Sequence, residues 1–178
     1  MLLFYNNILR NNFVGRDGVT ISDKNKRRRN MNLEIKNFDE LTGREVYEIL
    51  KIRSEVFVVE QNCIYNDVDE KDIESIHIMM KEGDKIISYI RVIRPGISYD
   101  NASIGRVLVV SEGRGKGLAR KVVQEGIDYI TNNWNEEKIT IGAQDYLRDF
   151  YKSLGFKAIS EVYLEDGIPH LDMTYTKK

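Results

Sequence analysis

The sequence predicts an α+β domain over residues 31–178, and three stretches carry that prediction. Residues 104–130 read as a strand, a glycine-rich turn and a helix in succession. Residues 75–81 and 85–93 read as two strands joined by a turn at Glu82-Gly83-Asp84. Residues 156–164 and 170–176 read as a closing strand pair around Glu165-Asp166-Gly167-Ile168-Pro169.

The other elements fall between these. Residues 33–38 nearly alternate apolar with polar and predict a first strand. Thr42 is placed to cap the helix that follows, with Glu45 as its partner in a capping box. Val46, Ile49, Leu50, Val56 and Phe57 form the apolar stripe of that helix. From residue 60 to 72 no helix or strand period continues, and the segment reads as an acidic loop. Residues 103–110 predict a central strand buried on both faces, because Val107, Leu108, Val109 and Val110 run without a polar break. A helix over 117–134, a strand over 138–143 and a short helix over 147–154 closed by Gly155 complete the order.

Composition bounds the function. Of the 178 residues, 42% are hydrophobic and 31% charged, ordinary values for a globular domain. Cys63 is alone, so no intrachain disulfide forms and a reducing, cytoplasmic setting is expected. Two histidines and one cysteine do not make a His/Cys zinc site, so no metal is expected. No apolar run reaches membrane-span length. The net charge of −1 hides an asymmetry: residues 1–30 carry +5 and the remainder −6. An acidic body argues against nucleic acid as partner and is compatible with a cationic small substrate. Residues 1–30 read as a disordered basic extension or as residues upstream of a natural start at Met31. A nucleic-acid or membrane tether would rest on residues 24–29 alone.

The glycine-rich turn carries the chemistry. Gly113, Gly115 and Gly117 let the backbone turn sharply beside a ligand. The free N–H groups at the start of the next helix, with Arg114, Lys116 and Arg120 nearby, make a cradle for a diphosphate. A Walker A loop would need a Lys-Ser/Thr pair, and a dinucleotide fingerprint would need a glycine where Leu118 or Arg120 stands. What fits is Arg114-x-x-Gly117-x-Ala119.

That pattern resembles the coenzyme A loop of the GNAT N-acetyltransferases, Gln/Arg-x-x-Gly-x-Gly/Ala. A longer stretch, Arg53-x-x-Val56-Phe57-Val58-Val59-Glu60-Gln61-x-Cys63-x-Tyr65-x-Asp67-x-Asp69, resembles the opening signature of the ElaA-like branch. Ile64 stands where relatives often have proline, and Asp67 where many have glutamate. Gly142-Ala143-Gln144, then Phe150-Tyr151-x-x-Leu154-Gly155-Phe156, then Glu165 to His170 with Met173, match the same branch. The resemblance spans roughly residues 31–176.

It implies a mixed, mostly antiparallel sheet flanked by helices and splayed at the coenzyme A site. It also implies acetyl transfer from acetyl-CoA to a primary amine by direct attack in a ternary complex. The backbone of Val107, Leu108 and Val109 would hold the pantetheine arm. Arg114, Gly115, Lys116, Gly117, Leu118, Ala119 and Arg120 would hold the pyrophosphate, and Gln144 would contact the cofactor. Tyr151 would protonate the leaving thiolate, and a phenol suits that role because it stays protonated at neutral pH. Its other reading is helix packing with Phe150, Leu154 and Phe156. His170 is a candidate base. Glu60, Gln61, Tyr65, Asp67 and Asp69 would face the acceptor, a small-molecule or peptide amine. The other reading of that acidic loop is a solvated face. His77 reads as a satisfied strand residue and Cys63 as a buried, inert thiol. A non-catalytic acyl-CoA-sensing module is the alternative function, and a homodimer is expected by family analogy only.

Overall fold

Eight strands form one sheet in the computed structural model, which describes residues 31–177. The expectations for residues 1–30 lie outside the described residues. Strands β1 (Met31–Asn37), β2 (Ile76–Glu82), β3 (Lys85–Ile93) and β4 (Ala102–Val109) pair antiparallel in sequence order. β5 (Lys138–Gln144) then joins β4 in parallel. β6 (Lys157–Ala158), β7 (Tyr163–Glu165) and β8 (Ile168–Thr176) finish the sheet, with β8 antiparallel to β5, β6 and β7. The mixed, mostly antiparallel sheet expected from the sequence is the one observed.

Helices cover both faces, which is why β2 and β3 are buried on both sides. On one face lies α1 (Gly43–Arg53), packing Ile49 and Ile52 against Met79, Ile87, Tyr89 and Leu108. On the other lies α2 (Leu118–Asn133), whose Val122, Val123, Ile127 and Ile130 are buried against Ile78, Ile90, Val92 and Ile104. Each such side chain contributes about 1.5–3 kcal/mol by leaving water. The capping box of α1 forms as the sequence indicates. Thr42 Oγ1 accepts from the Glu45 N–H at 3.2 Å, and the Thr42 N–H donates to Glu45 Oε2 at 2.9 Å.

Four local expectations change. The helical stripe does not stop at Phe57: Ser54–Glu60 continues α1 as a wider π-helical turn, and the irregular loop begins at Gln61. Such turns add a residue to the helical repeat and re-aim the side chains after them. The strand expected over 156–164 is broken into β6 and β7. Ser160 causes the break, because its Oγ takes the Asp172 N–H at 2.8 Å that a ladder partner would otherwise take. The turn before β8 is also tighter than expected, with Asp166 at φ 49° and Gly167 at φ 79°, the left-handed pair of a two-residue hairpin. Between β5 and β6, a 3₁₀ turn (Asp145–Leu147) leads into α3 (Arg148–Lys152), shorter than the helix the sequence indicates.

Candidate active site

β4 and β5 pair only at Ala102 with Ile139 and Ser103 with Thr140. Beyond those two rungs the strands separate, while β5 stays paired with β8 as far as Gln144 opposite His170. The separation opens a cleft of about 1030 Å³. A bulge in β4 sits at the same place: Arg91 faces Gly105 and Tyr89 faces Leu108, so β4 carries one extra residue. Arg106 is at φ 52°, a left-handed backbone that costs a non-glycine residue about 1–2 kcal/mol. Its side chain offsets that cost. Nε of Arg106 donates to Asp67 Oδ1 at 2.6 Å, and the guanidinium lies 5.6 Å from the Tyr65 ring centre and 6.0 Å from that of Phe57.

At one end of the cleft the chain turns from β4 into α2. Gly115 and Gly117 adopt φ 74° and 75°, and Gly117 is the residue before the first helical turn. No side chain caps that helix and no acidic residue stands in its first turn, so its free N–H groups and the positive end of its dipole face the cleft uncompensated. The two arginines here have partners. Arg114 Nε donates to the Val109 carbonyl at 3.0 Å, and Nη1 and Nη2 reach Glu60 at 2.5 and 2.7 Å. That pair holds the Glu60 carboxyl below its usual range. Arg120 donates to Ser153 Oγ at 2.5 Å and ties α2 to the end of α3. Open space around Gly115 and Gly117, the bare helix end and the unpaired edge of β4 fit a phosphorylated, extended ligand.

Tyr151 lies deeper. It is buried, with the rings of Phe150 at 5.0 Å and Phe156 at 5.8 Å meeting it edge-on. No protein group among the described residues bonds its hydroxyl, and the side chain lines the cleft. Burial pushes the phenol upward from its ordinary value, so it keeps its proton. His170 sits across the ladder from Gln144. Its Nδ1 lies 2.8 Å from the Ile168 carbonyl oxygen, which only accepts, so Nδ1 carries the hydrogen and Nε2 keeps a lone pair. The Tyr163 ring stacks on the imidazole at 6.3 Å. Gln144 Nε2 in turn donates to Gln61 Oε1 at 3.0 Å, joining the two lips of the cleft.

Residues 39–177 match the family model described as an acetyltransferase (GNAT) domain. The chain belongs to the GNAT acetyltransferase family. It is 37% identical over 136 residues to the protein ElaA of Escherichia coli, covering 75% of this chain and 89% of that one. A UPF0039 protein of Schizosaccharomyces pombe is 36% identical over 146 residues, 81% of this chain and 96% of the relative. The crystal structure of an acyl-CoA N-acyltransferase from Pseudomonas aeruginosa superposes with a TM-score of 0.78 at 34% identity, over 83% of this chain and all of that one. Crystalline E. coli ElaA gives a TM-score of 0.77 at 33% identity, over 82% and 99%.

This GNAT domain, an acyltransferase of the ElaA-like branch, brings most of the sequence-derived site residues into one cleft. Val107, Leu108, Val109, Arg114, Gly115, Gly117, Leu118, Ala119, Arg120, Gln144 and Tyr151 line it, as do Glu60, Gln61, Tyr65, Asp69 and His170. Lys116 is exposed on the loop outside the lining. Asp67 departs from its expected place before the acceptor. It is buried behind the cleft wall, where Arg53 Nε at 2.8 Å, Arg106 and the Tyr65 hydroxyl at 2.8 Å consume its oxygens. His77 and Cys63 are buried as the sequence indicates; His77 bonds Tyr89 and the Asp72 carbonyl, and Cys63 contacts the Asp166 carbonyl. The sequence reading missed Arg91 and Arg106, both in the wall. Their signal is an arginine inside an otherwise apolar strand, which burial allows only with partners.

Proposed function

We propose that this protein moves an acetyl group from acetyl-CoA to a primary amine by direct attack within a ternary complex. One observation carries the reading: a largely buried, protonated Tyr151 lines the cleft where β4 and β5 part, and no protein group among the described residues bonds its hydroxyl.

Acetyl-CoA supplies the activated thioester. The bare start of α2 and the loop through Gly115 and Gly117 take its diphosphate, and the unpaired edge of β4 at Val107, Leu108 and Val109 takes its amide arm. Arg114 exchanges Glu60 for the diphosphate as the co-substrate enters. His170 Nε2 accepts a proton from the acceptor ammonium, freeing the lone pair that forms the new N–C bond. As the C–S bond breaks, Tyr151 gives its proton to the departing sulfur, the acylated nitrogen sheds its second proton, which restores the Tyr151 phenol through solvent, and His170 releases the first to bulk water. The net products are an N-acetyl amine and free coenzyme A thiol. Gln144 and Gln61 close the cleft above the reacting atoms. A cytoplasmic location fits this chemistry and the single unpaired thiol.

Release of free thiol from acetyl-CoA, followed across a panel of primary amines with the acetylated product identified by mass, tests the proposal. Amine-dependent release matched by N-acetyl product is expected. Tight acetyl-CoA binding with no release on any amine would contradict it and identify an acyl-CoA-sensing module instead.

A further inference from the structure

We propose that the acceptor is a small amine that also carries a carboxylate, and that this carboxylate seats over Gly105 against Arg91, Ser103 and Lys71. The inference rests on the acyl-transfer reading above and adds the chemical class of the acceptor.

Arg91 is 2% exposed, and its guanidinium has five N–H donors in one plane. Three are used. Nη1 donates to Asp69 Oδ1 at 2.6 Å and to Asp72 Oδ1 at 2.7 Å, and Nη2 donates to Asp69 Oδ2 at 3.0 Å. Nε has no partner among the described residues. Nε–H and the remaining Nη2–H lie parallel on one edge of the guanidinium, the fork that receives both oxygens of a carboxylate. Ser103, 3% exposed, also has an Oγ with no partner.

The ladder sets these donors side by side. Arg91 is directly opposite Gly105, and Ser103 precedes Gly105 by two residues, so all three positions share one face of the sheet. No atom lies within 4 Å of where a Gly105 Cβ would stand, so the floor between the donors is open. Arg91, Ser103, Gly105 and Lys71 all line the cleft.

Charge selects the ligand. Arg53, Arg91 and Arg106 are matched by Asp67, Asp69 and Asp72 in one ion-paired cluster. The Lys71 ammonium has no partner among the described residues and is the cation left over. A carboxylate supplies acceptors to the orphan donors and balances Lys71. A second ammonium at this spot would stand against the Arg91 guanidinium and the Lys71 ammonium, two like charges, with the Asp69 oxygens already bonded to Arg91. Glu165 and Asp166 line the same cleft just before His170, which suits the ammonium end of the same molecule.

The test compares matched acceptors in thiol release from acetyl-CoA: β-alanine and 5-aminopentanoate against their carboxamides. The carboxylates should show kcat/KM about tenfold or more above the amides, because a site of buried donors rejects a ligand that leaves them unpaired. Ser103→Ala and Gly105→Ala should each bring that ratio toward one. A binding arm without turnover uses calorimetry with glutarate against glutaramide at fixed ionic strength. Glutarate should bind the wild type and lose affinity in both variants. Should no amine release thiol while glutarate binding still depends on Ser103 and Gly105, the transfer reading fails and the carboxylate site stands. Equal turnover of acids and amides, or glutarate binding absent or indifferent to both substitutions, overturns the inference.

Discussion

Nε of Arg53, at the end of α1, lies 2.8 Å from Oδ2 of Asp67, and neither side chain is more than 7% exposed. Arg53 Nη2 also donates to the Asp67 carbonyl at 2.6 Å, and Nη1 to Asp72 Oδ1 at 2.6 Å. One guanidinium therefore pins the acidic loop at two points and fixes the wall of the cleft to the helix that precedes it. Asp72 then joins Arg91, and Asp67 joins Arg106, so the cluster reaches β3 and β4 as well.

Arg53→Met tests how much the fold depends on that cluster. The substitution keeps the volume and leaves two buried carboxylates short of a cation. A loss of roughly 3–5 kcal/mol is expected. Urea unfolding at neutral pH measures it. A change under about 1 kcal/mol would mean that the loop holds its place without Arg53.

Acid should act through the same groups. Burial pushes the Asp67 and Asp69 carboxyls up, but Asp67's arginine neighbours Arg53 and Arg106, and for Asp69 the hydrogen bond from Arg91, outweigh it and hold both below the ordinary range. Glu45 is likewise opposed by burial and brought down to about 2 by Lys36 and Thr42. A carboxylate lowered in the folded state stabilises above its unfolded value and loses that contribution as pH falls toward its folded one. Unfolding free energy should therefore be level, as far as these groups set it, above about pH 5 and fall from about pH 4 downward. Asp67→Asn should flatten that fall in a pH series of denaturant titrations. A slope identical to wild type would remove Asp67 from the account.

His170→Ala examines the base. Nδ1 is committed to the Ile168 carbonyl, so Nε2 is the nitrogen left to take a proton. In the variant, kcat for thiol release should drop about 10²-fold or more with acetyl-CoA affinity nearly unchanged. A variant as fast as wild type would assign the base to another group.

The order of strands and helices is legible in the sequence because long periodic runs specify it. α2 shows its period over sixteen residues, β2 and β3 are rich in Ile, Met and Val, and Thr42 with Glu45 marks where α1 begins. The bulge is not legible. Arg106 stands in a run that reads as plain strand, and its left-handed backbone follows from pairing with β3 and from an aspartate thirty-nine residues earlier. The acidic loop misleads for the same reason. Asp67, Asp69 and Asp72 look like free negative charge until Arg91 and Arg106 arrive from distant strands. The break between β6 and β7 depends on Ser160 meeting Asp172, a contact no local pattern announces. The glycine turn is legible from its own residues, and Tyr151 and Gln144 through the resemblance to the GNAT motifs, which needs no knowledge of the pairing.

The most direct measurement of the central claim is Tyr151→Phe, followed by kcat for thiol release and by the dissociation constant for acetyl-CoA. The substitution keeps the ring that Phe150 and Phe156 hold and removes only the hydroxyl. The account predicts kcat lower by about 10²-fold or more with acetyl-CoA affinity nearly unchanged. A variant as fast as wild type would contradict the assignment of Tyr151 as the acid that releases the thiol.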